Sequence, residues 1–268
     1  MRRETFTAPS PSAEAFVHQM ATRGWAHFPS EIEAADLPVM RTDLQRIYRL
    51  RRAVQERNGV AAGMEGTAHH MPGEGGSLDA FLNNLPLADM IERHFGGKYI
   101  LLNFGAVMHP PGGKAYTLMP HRDIRAWSAD CPLSLNMLVM LDDFTVENGA
   151  TLLLSGSHQT PAMPTVEAFH SGAEPAVGRA GDILLFNSLL VHAAAPNRSN
   201  AERRALTLCF GRPFMKPQMD WPRYLPADAE KALSPLGRQL LGYHAQIPDS
   251  LDAYYQPAER WAFRPDQR

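Results

Sequence analysis

At 268 residues, with 44% hydrophobic and 20% charged, the chain has the makeup of an ordinary globular protein, long enough for one large domain with a sizeable core. A net charge of −2, no basic run and no long apolar stretch exclude nucleic acid and membrane as expected partners. The only two cysteines, Cys131 and Cys209, cannot build a disulfide framework or a zinc knuckle, and Met1-Arg2-Arg3-Glu4 opens no apolar leader, so a reducing cytoplasm is the expected setting.

Residues 1–11 read as a flexible lead. Ser12 is an N-cap for a helix presenting Phe16, Val17, Met20 and Ala21 on one face, and Gly24 ends it. Residues 25–28 alternate like a short strand. From Glu31 to about Arg57, Leu37, Met40, Leu44, Ile47 and Leu50 keep helical spacing. Arg46, Arg49, Arg51, Arg52 and Arg57 read as the solvated face of that helix, with a phosphate or coenzyme A site as the lesser reading. The Gly-rich stretch 59–77 reads as a loop with the character of a lid. Its His69-His70 pair would point to opposite faces of a strand and could not chelate together there. Residues 78–95 predict one further amphipathic helix, built on Leu78, Phe81, Leu82 and Leu85 and stopped by Gly96-Gly97.

The pattern then turns to strands. Residues 98–108, 133–141, 150–154, 181–187, 189–194 and 204–210 are short, largely apolar runs separated by turn signals. Six such runs predict a mainly β fold with surrounding helices. The expected layout is one domain over 1–268. Residues 1–97 give helical support and the lid, 98–214 the β core, and 215–268 an irregular aromatic cover built on Trp221, Tyr224, Tyr254, Tyr255 and Trp261.

The chemistry-bearing stretch is His121-Arg122-Asp123. In an extended chain side chains i and i+2 share a face, so an imidazole and a carboxylate could enter one cavity and offer two ligands to a metal. Among eleven histidines about one such spacing arises by chance, so context decides. Lys114, Arg122 and Arg125 lie nearby, as solvated loop charges or a grip on an anionic substrate. Phe104, Met108, Met119, Met137 and Met140 could line an apolar pocket, although methionines in strands are usually core.

The context is an ordered set of motifs. Trp127 lies four residues beyond Asp123; then come Leu141-Asp142-Asp143-Phe144 with Asn148-Gly149-Ala150-Thr151, Ser155-Gly156-Ser157-His158, Gly181-Asp182-Ile183-Leu184-Leu185-Phe186, His192, Asn197 and Arg203-Arg204. In this order, over residues 98–212, they resemble the phytanoyl-CoA dioxygenase-like family of Fe(II)- and 2-oxoglutarate-dependent oxygenases, which includes ectoine hydroxylase-like and natural-product hydroxylases. One departure is Ser155, where the family usually has proline. The resemblance implies a double-stranded β-helix of jelly-roll type, with His121, Asp123 and His192 as catalytic iron ligands. By its position after His192, Arg203 would bind the far carboxylate of 2-oxoglutarate; Arg204 should point the opposite way on a strand. Asn136, Thr151, Asn103 and Trp127 are further candidates around the co-substrate, each with a buried structural role as the bland alternative. His158 reads as a turn residue rather than a fourth ligand.

The implied cofactors are Fe(II), 2-oxoglutarate and O2. The implied reaction hydroxylates, or otherwise oxidises, an unactivated C–H bond of an amino-acid-like or natural-product small molecule, releasing succinate and CO2. Related halogenases lack the carboxylate ligand, so Asp123 favours hydroxylation. A monomer or homodimer is expected. Two rival readings are a non-catalytic jelly roll that binds a ligand or metal, and a metal-dependent isomerase or lyase on the same fold.

Overall fold

The computed structural model describes residues 9–112, 118–124, 126–128 and 131–263. Helix α1 (Ala13–Thr22) starts where Ser12 accepts a hydrogen bond from the amide of Ala15. Gly24 ends it at φ +83°, a left-handed conformation that suits glycine. Strand β1 (Trp25–Phe28), helix α2 (Leu37–Arg57) and strand β2 (Thr67–His69) follow, then helices α3 (Ser77–Asn83) and α4 (Ala88–Phe95). Strands β3 (Ile100–His109), β4 (Ser134–Met140) and β5 (Leu152–Leu153) precede helix α5 (Val166–Gly172). Strands β6 (Glu174–Pro175), β7 (Ile183–Asn187), β8 (His192–Ala193) and β9 (Arg203–Gly211) complete the β portion. The tail carries α6 (Trp221–Tyr224), α7 (Ala227–Lys231), α8 (Pro235–Leu240) and α9 (Leu251–Tyr254). No helix among the described residues is long and apolar enough to cross a membrane.

The strands form two antiparallel sheets rather than a closed barrel: a large one in the order β1-β7-β4-β9-β3-β2 and a small one in the order β6-β5-β8. Strand alternation divides the core in two. Leu135, Met137, Val139, Ile183, Leu185, Leu206, Leu208 and Phe210 pack with Phe16, Leu44, Ile47 and Phe81 of the helices. Leu138, Met140, Leu184, Phe186 and Ala205 face the other way and pack with Leu153 of β5, Phe144 and Leu190. One face of the large sheet therefore lies under helices. The other looks towards the small sheet, and the polar side chains of interest lie there.

Several expectations are corrected. Helix α2 begins at Leu37 rather than Glu31, and Leu50 and Val17 are solvent-exposed, because each sits at the edge of its apolar stripe. The single helix expected over 78–95 is two, broken at Pro86 and Leu87, the latter at φ +59°. The 59–77 segment contains β2, hydrogen-bonded to β3. The α2 arginines do not all face solvent. Arg51 binds the carbonyls of His69 and His70 and pairs with Glu74 at 2.6 Å, while Arg52 reaches the carbonyl of Ala61 at 2.7 Å. Helix α5 was not anticipated; Thr165 caps it. The tail is helical in short pieces, and of its aromatics Trp221 is buried while Tyr224, Tyr254, Tyr255 and Trp261 are exposed.

Candidate metal centre

His121 does not belong to a strand. It forms a single antiparallel bridge with His192, each backbone amide donating to the other's carbonyl at 3.0 Å. That bridge joins the loop after β3 to the first residue of β8 and brings the rings together, centroids 4.4 Å apart. Asp123 completes the cluster. Its two oxygens lie 3.5 Å from Nε2 of His121 and 3.5 Å from Nε2 of His192. Among the described residues these three are the one group whose potential ligand atoms converge, all within 4.8 Å of one another. Ligands on one ion at about 2.1 Å can be at most about 4 Å apart, so a modest contraction makes a coordination face.

Both rings are held for that task. Nδ1 of His121 donates to the carbonyl of Met119 at 2.8 Å, and Nδ1 of His192 to that of Leu190 at 3.0 Å. A carbonyl only accepts, so each neutral ring presents its Nε2 lone pair to the centre. Asn136 donates to Oδ2 of Asp123 at 2.7 Å and fixes the carboxylate's orientation. Burial pushes the Asp123 carboxyl up, but the His121 and His192 imidazoles and the hydrogen bond from Asn136 outweigh it and hold the group below its ordinary value. The Asp123 contact raises the His121 imidazole, whereas burial keeps His192 low. An ionised carboxylate beside a neutral, buried imidazole is a donor set suited to a divalent cation with three open positions, ferrous iron among them.

Arg203 opens β9 and is buried, with its guanidinium carbon 3.9 Å from the centre of the Phe144 ring. Nε and Nη1 have no hydrogen-bond partner among the described residues. Burial lowers its pKa to about 10, so it remains charged at neutral pH. Arg204 points the other way and grips Asp142 through Nε and Nη2, both at 2.8 Å. Arg203 is thus the arginine whose buried donors are left without an acceptor, and an anion is what such a group takes.

The other expected co-substrate contacts are spread out. Asn136 is bonded to Asp123. Asn103, opposite Cys209 on β9, has a buried Oδ1 without a partner. Thr151 is buried just before β5, and its carbonyl accepts from the amide of Ala176. Trp127 is 36% exposed and lies by the Arg122 guanidinium, lining an open groove of about 560 Å³ with His121, Leu189 and Met163. Arg122 is half-buried and its guanidinium is engaged, donating to the carbonyls of Ser157, Thr160 and Pro161. Lys114 and Arg125 lie outside the described residues. His158 packs against Gly24 and takes no part in the triad. Phe104, Met108, Met137 and Met140 are core, and Met119 is exposed.

Sequence reasoning missed His109. It is buried opposite Arg203, with Nε2 2.9 Å from the carbonyl of Ala195 and Nδ1 unpartnered. A signal existed. On β3 the polar residues Asn103 and His109 share one face with Gly105 and Val107, while Phe104, Ala106 and Met108 take the other, which places His109 away from the helix-covered face.

Known proteins resemble the chain in sequence and in fold. An uncharacterized protein of Mycobacterium tuberculosis (Rv1501) is 36% identical over 148 residues, 55% of this chain and 54% of its own length. Dioxygenase cdmA of Talaromyces verruculosus is 31% identical over 172 residues, covering 60% of this chain and 56% of its own. The chain spans about half the length of these curated relatives. Among solved structures, the non-heme monooxygenase ThoJ superimposes with a TM-score of 0.61 at 19% identity, covering 76% of this chain and 80% of that one. The carbocyclase SnoK from nogalamycin biosynthesis gives 0.58 at 17% identity, covering 76% and 87%. Both likenesses concern the fold. The profile of the family described as phytanoyl-CoA dioxygenase (PhyH) matches residues 22–205, well over half of the sequence and inclusive of His121, Asp123, His192 and Arg203, and the chain belongs to that family.

Proposed function

We propose that the protein is an Fe(II)- and 2-oxoglutarate-dependent oxygenase that hydroxylates, or otherwise oxidises, a C–H bond of a small natural-product-like or amino-acid-like molecule, releasing succinate and CO2. The observation that carries this reading is the convergence of the two Nε2 atoms and one carboxylate of His121, His192 and Asp123, in a chain that also buries an unanswered arginine. When bound, the iron and the keto acid supply the O2-activating redox chemistry.

The residues divide the remaining work. His121, His192 and Asp123 would hold the metal from one side and leave the opposite positions open. Asn136 keeps the carboxylate turned inward through its 2.7 Å hydrogen bond. Arg203 would take the far carboxylate of 2-oxoglutarate through charge-assisted N–H donors, in a buried setting where water does not compete. Asp123 would fill the metal position that a halide needs, which favours hydroxylation over halogenation. The relatives that support a natural-product substrate include a carbocyclase and an epimerase from nogalamycin biosynthesis, so product analysis decides the outcome on the substrate.

The test is spectroscopic. Under anaerobic conditions Fe(II) and 2-oxoglutarate should together produce the visible charge-transfer band of the chelate in the wild-type protein. Asp123→Ala should abolish the band and succinate formation, and Arg203→Ala should demand far more 2-oxoglutarate to reach it. A wild-type protein that binds iron yet never develops the band is a binding protein or an isomerase, and the proposal fails.

A further inference from the structure

The register of β3 on β9 sets His109 directly opposite Arg203. Cross-strand partners on one face have Cβ atoms about 5 Å apart, so the two side chains share one small volume. Both are buried, His109 to 1% and Arg203 to 4% exposure. Nδ1 of His109 and both Nε and Nη1 of Arg203 lack partners among the described residues. Buried polar atoms are nearly always satisfied, and three orphans together mark a place for a ligand.

The ring's protonation follows from its surroundings. Nε2 faces the Ala195 carbonyl at 2.9 Å and must carry the hydrogen there. Nδ1 of the neutral ring is then a lone pair. Asn197 fixes the backbone beneath it, donating from Nδ2 to the His109 carbonyl at 2.8 Å, and the bare backbone of Gly149 passes close enough that a Cβ would lie 3.0 Å from Nε2. A neutral His109 would therefore turn a lone pair towards any carboxylate that Arg203 receives.

We infer that His109 is a second binding residue for the far carboxylate of 2-oxoglutarate, and that it takes up a proton from solvent as the dianion binds, so that its Nδ1–H and Arg203 donate side by side. The inference rests on the oxygenase reading. No covalent bond changes, and the proton comes from the buffer. Protonation converts a lone-pair repulsion into a charge-assisted hydrogen bond. In the free protein, burial and the Arg203 charge hold the imidazole below its ordinary range, against the opposing effect of the Ala195 contact, so the ring stays neutral until the anion arrives. Arg203 on β9 is the one charge acting on it among the described residues; Asn197, Ala195 and Gly149 are neutral. Asp142, which acts on Arg203, is occupied by Arg204 at 2.8 Å and Arg41 at 3.1 Å.

Calorimetry of 2-oxoglutarate binding to the full chain loaded with Mn(II) tests this, in two buffers of different protonation enthalpy near neutral pH. The metal fixes the protonation of His121 and His192. The wild-type protein should take up a proton on binding, and its affinity should rise as pH falls from about 8 to about 6. His109→Gln should bind about tenfold more weakly, the equivalent of one unit of pKa, with no buffer-dependent heat. Binding without proton uptake in the wild type, or unchanged uptake in His109→Gln, overturns the inference and leaves the oxygenase reading standing. If His109→Gln does not fold, the wild-type heats decide alone. A wild-type protein that does not bind 2-oxoglutarate at all overturns both.

Discussion

Arg203 carries a guanidinium into the interior and leaves two of its N–H groups without an acceptor. Each unsatisfied buried donor costs about 1–3 kcal/mol, and stacking on Phe144 recovers part of that. A side chain kept at such a cost is expected to trade stability for binding. Arg203→Met should therefore raise the thermal unfolding midpoint, by about 2–4 °C for each kcal/mol regained, while losing 2-oxoglutarate binding. A melt in which Arg203→Met unfolds well below wild type would show that the arginine is structural. The neighbouring Arg204 makes the contrast: it is fully engaged by Asp142, so its role is to hold β9 to the 141–142 turn. Strand alternation predicts that the two arginines point apart, but which one is answered by a carboxylate is settled by Asp142 in the turn after β4.

At the scale of the element, the 59–77 segment shows where local pattern misleads. Glycines at 59, 63, 66, 73, 75 and 76 read as a loop, yet β2 completes the edge of the large sheet beside β3. Arg51 is what ties it down, with hydrogen bonds to the carbonyls of His69 and His70 and an ion pair to Glu74. Three contacts from one largely buried guanidinium are worth about 2–4 kcal/mol. Arg51→Ala should lower global stability by that order and open residues 60–76 to limited proteolysis before the rest of the chain; a cleavage pattern identical to wild type would remove this role. The helices tell the same lesson from the other side. Ser12 caps α1 by local chemistry that sequence displays, whereas the break between α3 and α4 at Leu87 needs a left-handed leucine that no propensity announces.

For the whole molecule, packing helices against one sheet face buries imidazoles that cannot easily charge. His94 lies between Phe16 and Phe95, and burial lowers its pKa to about 4, with Arg212 and His158 adding to the effect. The folded state therefore resists a proton that the unfolded chain accepts at about 6.5. This contribution is present above that pH and is lost as pH falls from about 6.5 towards 4, amounting to about 3 kcal/mol for the full shift. Urea midpoints should fall over that window in the wild type, and His94→Phe should flatten the decline. An equally steep decline in His94→Phe would place the acid sensitivity elsewhere.

The strand series, the Ser12 cap, the pair His121 and Asp123, and the resemblance that adds His192 and Arg203 were legible in the linear chain, because period-two alternation, turn residues and short motifs are local properties. What the sequence could not determine is which groups answer one another. The His121–His192 bridge, the Met119 and Leu190 carbonyls that orient the imidazoles, the Asn136 contact to Asp123 and the facing of His109 with Arg203 all arise from cross-strand register and chain closure. Only the tertiary structure decides these, because a hydrogen bond or a ligand set depends on separations in space of about 3 Å, and no local pattern fixes such separations between remote segments.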